Sequence, residues 1–210
     1  MKKKITASIY DFDRTVYNGD CLVDFWFYLL PRRPLAIFLV PLQIFMAILF
    51  LLRIVRLSRF KSFFLLFVHG IKTDRLDQFV HDFWARRKKG IFPWVRDRLA
   101  EERKNGLYLI CNSASPRFIL EPMVADLGFD LLICTEFDTA GGRQTNHMIG
   151  TNCRGAEKVR KIEKWTAGQD IDLKTVNAYS DHLSDIPLFE LAENSYLIKR
   201  GEITLYRSTK

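Results

Sequence analysis

Ile9-Tyr10-Asp11-Phe12-Asp13-Arg14-Thr15 closes the run Ile5–Tyr10, whose β-branched and apolar residues read as a strand. Two carboxylates therefore stand two residues apart at a strand end. In extended backbone alternate side chains share a face, so Asp11 and Asp13 can both reach one pocket. If the chain turns away after Asp11, Asp13 instead offers its backbone carbonyl to a cation and its side chain to a leaving group. Aspartate is also common in solvated strand-to-loop turns, so the pair alone decides nothing. Its surroundings do.

Outward from this motif, short apolar runs alternate with helical patterns. Strands are predicted at Ile5–Tyr10, Leu107–Cys111, Leu131–Cys134, Val176–Tyr179 and Tyr196–Ile198, and helices at Trp94–Lys104, Pro116–Leu127, Ala156–Thr166 and Leu183–Glu193. Such alternation predicts an α/β fold, a Rossmann-like parallel sheet with helices on both faces. Ligands of these sheets sit beyond the carboxyl ends of the strands. Asp11, Asp13, Ser113 and Asp181 stand there. The alternation is interrupted once. Residues 1–16 and 93–210 read as the core, and 17–92 as an inserted helical cap.

Three more motifs lie at strand ends or helix starts. Leu109-Ile110-Cys111-Asn112-Ser113-Ala114-Ser115 ends in small hydroxyl residues suited to a phosphate oxygen, although a serine N-cap would read the same. Gly155-Ala156-Glu157-Lys158 places a lysine on a first helical turn, where most lysines are simply solvated. Ala178-Tyr179-Ser180-Asp181-His182-Leu183-Ser184-Asp185 carries two acids four residues apart. Helix capping explains one of these acids more easily than both.

In this order the four pieces resemble the haloacid dehalogenase superfamily, in its phosphoserine-phosphatase-like branch. The resemblance implies that Asp11 is a nucleophile and Asp13 a general acid/base. Ser113 and Lys158 would bind the transferring phosphate. Mg2+ would be held by Asp11, Asp13 and Asp181, with Asp185 in support. Both acids of the first motif favour phosphoryl transfer over dehalogenation, because a departing halide needs no proton. Three departures stand out: Arg14 replaces a usual glycine, Ser180 and His182 replace two more, and Ser184 replaces an asparagine. His182 is expected at the pocket edge, since magnesium seldom takes imidazole.

The inserted segment holds most of the charge excess. The net charge is +8, and residues 17–92 contain twelve Lys/Arg against five Asp/Glu. Within them Leu35–Leu52 is uncharged, LAIFLVPLQIFMAILFLL, with arginines on both flanks. A continuous helix over this run would be ~27 Å long and apolar all round. A single span is incompatible with the catalytic reading, because Asp11 precedes the run and Ser113, Lys158 and Asp181 follow it. The expectation is a monotopic cap, bent at Pro41, dipping into an anionic cytoplasmic membrane surface. Tyr28–Leu35, the apolar run and Lys199–Glu202 resemble the phosphatidylglycerophosphatases of this branch, which implies a phospholipid monoester substrate. The alternatives are a phosphatase for a small soluble ester such as phosphoserine, or a catalytically weak membrane-bound binding protein. Nucleic acid is not an expected partner: the basic residues lie beside aliphatic runs, not among exposed aromatics. The basic tip MKKK precedes an apolar run too short for a secretory signal. Four scattered cysteines without a Cys-x-x-Cys pair predict free thiols and no zinc.

Overall fold

The computed structural model of the chain describes residues 2–209. Seven strands form one sheet: β1 (Lys3–Tyr10), β2 (Tyr108–Pro116), β3 (Leu131–Ala140), β4 (Arg143–Ile149), β5 (Ile171–Ser180), β6 (Ala192–Lys199) and β7 (Glu202–Ser208). Their spatial order is β4-β3-β2-β1-β5-β6-β7. The five inner strands are parallel, as the alternation predicts. The two outer strands are antiparallel, which the alternation does not predict. β7 is largely exposed, and β4 is mostly polar with only Gln144 and Met148 buried, so neither carries an apolar run. Their signal lies in the turns. Gly141-Gly142 and Arg200-Gly201 all have positive φ, the geometry of a two-residue hairpin.

Around the sheet lie α1 (Cys21–Leu29), α2 (Val40–Leu51), α3 (Leu57–Phe64), α4 (Thr73–Arg87), α5 (Trp94–Lys104), α6 (Arg117–Asp126), α7 (Ala156–Gly168) and α8 (Ile186–Leu191). Adjacent β2 residues serve opposite faces. Leu109 and Cys111 join an apolar cluster with α1, α4, α5 and α6, whereas Ile110 joins one with α7 and α8. That two-sided burial is why the strands read as continuous apolar runs. The helix predicted over Leu183–Glu193 is a 3-10 turn followed by α8, and Ala192 already opens β6.

The chain enters and leaves the insertion through neighbouring segments: Phe92 N donates to Val16 O at 3.0 Å, and Tyr17 bridges Ile91. α1 and α4 are not a detached lid. Phe25, Phe83 and Trp84 share one buried cluster with Ile119 and Leu120 of α6, and the Trp84 indole donates to Ile119 O at 2.7 Å.

The bend expected at Pro41 is corrected: helical backbone runs from Pro34 to Leu51. A 3-10 stretch covers Pro34–Leu39, and α2 begins at Val40 with Pro41 in its first turn. No backbone N–H is needed there, so Pro41 starts a helix and does not bend one. The six 3-10 and twelve α-helical residues together reach ~30 Å, about the thickness of the hydrocarbon core, and Pro34–Leu51 is the one helix among the described residues long and apolar enough to cross a membrane. Arg53, with φ 61°, then turns the chain into α3, which packs back on α2.

α2 is inverted relative to a soluble helix. Its one polar side chain, Gln43, is buried, accepting from the Trp26 indole at 3.0 Å and donating to Phe64 O at 2.8 Å. Most apolar residues face outward: Ile44 is 56% and Phe45 55% exposed in α2, and Leu35 78% and Phe38 77% in the 3-10 stretch before it.

Candidate active site

Asp11 is the first residue past β1, the central strand, and its N–H still donates to Tyr179 O of β5 at 2.9 Å. A buried cluster anchors the strand end. Tyr10 stacks on Tyr179 at 4.3 Å, and both hydroxyls donate to the buried Glu102 of α5. Single-sequence periodicity shows Glu102 only as a helix residue, so its inward aim was not readable.

After Asp11 the chain turns away, the second of the two geometries open to the sequence. Val16 N and Tyr17 N converge on Phe12 O, and Arg14 takes φ 57°. This is the left-handed region that explains the glycine common at this position in the superfamily. The Asp13 side chain is held from two directions: Cys21 N donates to Oδ1 at 2.7 Å, and the Ser115 hydroxyl donates to Oδ2. Each oxygen keeps a lone pair for a proton, and the Asp13 carbonyl is a further candidate ligand for a cation.

β2 slips register against β3 between Asn112 and Pro116, so the Ser113-Ala114-Ser115 stretch of the strand has no register partner in β3. Ser113 Oγ accepts from Ser115 N at 3.1 Å, leaving its hydroxyl proton for a ligand. Lys158 is not a solvated lysine. It is 2% exposed, with Nζ 2.8 Å from Asp11 and 2.6 Å from Asp185. Asp185 accepts from Gly155 N on Oδ1 and from Lys158 and the Ser180 hydroxyl on Oδ2, and so holds Lys158 in place. His182 caps the following turn, its Nδ1 accepting from Ser184 N at 2.9 Å. It lines the pocket edge as expected.

Asp11, Asp13, Ser113, Lys158, Asp181 and Asp185 line one cavity of about 290 Å³. Burial raises the Asp11 carboxyl to about 7, against the opposing pull of Lys158. Burial and the Asp20 charge raise Asp13 to about 6. Burial also raises Asp181, against Arg14. Burial opposes the charge on Lys158, but Asp11 and Asp185 outweigh it and keep the ammonium protonated. Among the described residues no three Asp, Glu, His or Cys side chains cluster closely enough to hold a metal by themselves. The Asp11 and Asp181 carboxylates with the Asp13 carbonyl form a smaller, all-oxygen set. That set suits Mg2+, which keeps several waters.

The insertion closes the cavity with side chains that sequence reasoning did not place there. Leu22, Val23, Leu57, Phe60 and Phe64 make its apolar side. Lys61 of α3 reaches into the core, donating to Ala114 O at 2.8 Å and Asn152 Oδ1 at 2.7 Å. Its burial lowers its pKa to about 8.

Residues 9–190 match the model of the haloacid dehalogenase-like hydrolases, and the chain belongs to that family. It is 35% identical over 102 residues to the protein CicA of Caulobacter vibrioides, covering 48% of this chain and 45% of that one. It is 25% identical over 108 residues to a Mycobacterium tuberculosis protein named "Probable phosphatase", covering 51% and 37%. The matched stretch thus spans less than half of each relative. Among solved structures, a Bordetella pertussis protein of unknown function superposes with TM-score 0.80 at 19% identity, over 92% of this chain and 89% of that one. A substrate-bound phosphoserine phosphatase superposes with TM-score 0.60 at 15% identity, over 93% and 86%. At these identities the structural likeness establishes the fold.

Proposed function

We propose that the chain is a Mg2+-dependent phosphomonoesterase that works through an aspartyl phosphate, and that its substrate is a lipid phosphate such as phosphatidylglycerophosphate. One observation carries the chemistry: a buried carboxylate at the end of the central strand, paired at 2.8 Å with a buried lysine. A phosphate dianion repels a carboxylate, so attack requires positive charge around it. Lys158 supplies part of that charge, and Ser113 donates to a phosphate oxygen. Mg2+, when bound, would supply further charge and orient the phosphate.

An Asp11 carboxylate oxygen attacks phosphorus while the ester P–O bond breaks, and Asp13 gives its proton to the departing alkoxide. Asp13 then takes a proton from water as that water attacks the phospho-aspartate. The Asp11–phosphorus bond breaks, releasing inorganic phosphate. A pKa of about 6 suits Asp13 to both proton transfers near neutral pH.

The lipid part of the reading rests on the insertion, residues 17–92, acting as a cap over the core at 1–16 and 93–210. Its inner side chains give the cavity an apolar wall, and its outer face exposes the α2 residues. We place the protein on the cytoplasmic face of the inner membrane, monotopically, with anionic lipid as partner. The test is phosphate release from phosphatidylglycerophosphate, phosphatidate and soluble monoesters, with and without Mg2+. Asp11→Asn is expected to abolish turnover and the trapping of beryllofluoride. Turnover near wild type in that variant would sink the mechanism. Equal rates on soluble and lipid esters would sink the lipid assignment alone.

A further inference from the structure

A second cleft, of about 460 Å³, lies where the insertion meets the β3–β4 hairpin, and it shares no lining residue with the catalytic cavity. Backbone pairing builds it. Gly70 N donates to Gln144 O at 2.8 Å, Gln144 N to Ile71 O at 2.8 Å, and Thr73 N to Gly142 O at 3.0 Å. These joints bring Arg32 and Arg33, then Lys72 and Arg75, then Arg143 around one space.

Three of these guanidiniums are anchored without being neutralised. Arg32 donates to Tyr28 O, Arg33 to Phe67 O and Arg143 to Gly70 O, each at 2.7 Å. Among the described residues no carboxylate lies within 4.0 Å of any of the five cations. Desolvation and the Arg75 charge push the Arg33 pKa down. The N-terminus of the fifteen-residue α4, which has no side-chain cap, opens beside Lys72 and Arg75, with Asp74 in its first turn offsetting part of its positive end. Converging cations repel one another, so a fold that holds them together gains when an anion binds between them.

We propose that this cleft binds the phosphate headgroup of an anionic phospholipid that is not the substrate. The chemistry is that of a phosphate group, and the rim assigns its source. Leu35 lines the cleft at 78% exposed and leads directly to Ile37 and Phe38, also exposed. A headgroup in the cleft would run its acyl chains over those side chains, whereas free phosphate has no use for them. The assignment of the source rests on the membrane-facing reading of the insertion; the anion chemistry does not.

The test uses the full chain and the Lys72→Gln/Arg75→Gln variant, whose two side chains make no hydrogen bond or ion pair among the described residues. Binding is measured to phosphatidylcholine vesicles with and without phosphatidylglycerol, to short-chain dihexanoyl-phosphatidylglycerol below its micelle concentration, and to inorganic phosphate. The variant is expected to lose about tenfold or more of the affinity that phosphatidylglycerol adds. It should keep its affinity for phosphatidylcholine and its turnover of a small soluble ester. If wild type ignores all vesicles but binds the short-chain lipid, and the variant does not, the cleft assignment is supported and the membrane-facing reading fails. Equal phosphatidylglycerol affinity in wild type and variant overturns the proposal. So does inorganic phosphate that binds as tightly as the short-chain lipid and displaces it, which would assign the cleft to the free ion.

Discussion

Arg14 holds a left-handed backbone conformation that costs a non-glycine residue about 1 kcal/mol or more. In return Arg14 lines the cavity and offsets part of the burial that raises the pKa of Asp181. Arg14→Gly should therefore raise the melting temperature by a few degrees while raising KM for the phosphate ester. A melting curve and a Michaelis plot check both signs. Asp13 shows a similar opposition of stability and activity. Its folded pKa is raised from 3.8 to about 6, so the folded state binds more protons than the unfolded state between those values. Its contribution is thus most favourable below pH 4 and is lost as pH rises through 6. Asp13→Asn should stabilise the metal-free protein near pH 7.5 by about 1–3 kcal/mol, with no difference from wild type below pH 4, while turnover collapses. Thermal melts across pH test this. At this scale the carboxylates were legible because a strand end confines them. Ser115, Lys61 and Glu102 were not, because each acts through a partner tens of residues away that no spacing reveals.

Among elements, the parallel strands were readable because burial on both faces writes a continuous apolar run. β4 and β7 were not, since one-sided edge strands write none, and only their hairpin turns marked them. α2 is an intermediate case. Composition announced an unusual environment and the length of the helical run, but not that 3-10 backbone gives way to α-helix at Val40, because the two look alike in hydropathy. The burial of Gln43 beneath exposed Phe38, Ile44 and Ile48 specifies which side is outward. Phe38→Ser, Ile44→Ser and Ile48→Ser together should release the protein from anionic vesicles, since each buried side chain contributes about 1.5–3 kcal/mol. Hydrolysis of a soluble ester should persist, because the three side chains touch nothing in the catalytic cavity. Co-sedimentation and paired assays on lipid and soluble substrates measure the two effects.

At the scale of the molecule, the site depends on strand ends far apart in sequence, so a ligand that bridges them should stabilise the whole. Mg2+ is expected to raise the melting temperature of wild type by several degrees, and of Asp181→Ala much less. Chelation should remove activity and added Mg2+ restore it. The order of assembly also follows from the topology. β1 pairs with β2 and β5, so the central strand has no sheet neighbour until the chain has been made past Tyr108 and then past Ile171. α1 through α4 are contiguous and come first. During synthesis on the ribosome, the segment that carries the α2 surface therefore emerges while Asp11 still lacks Ser113, Lys158 and Asp181. On the membrane-facing reading proposed above, a nascent chain would meet lipid before it is able to cleave anything, and that contact would hold the unfinished sheet away from other nascent chains.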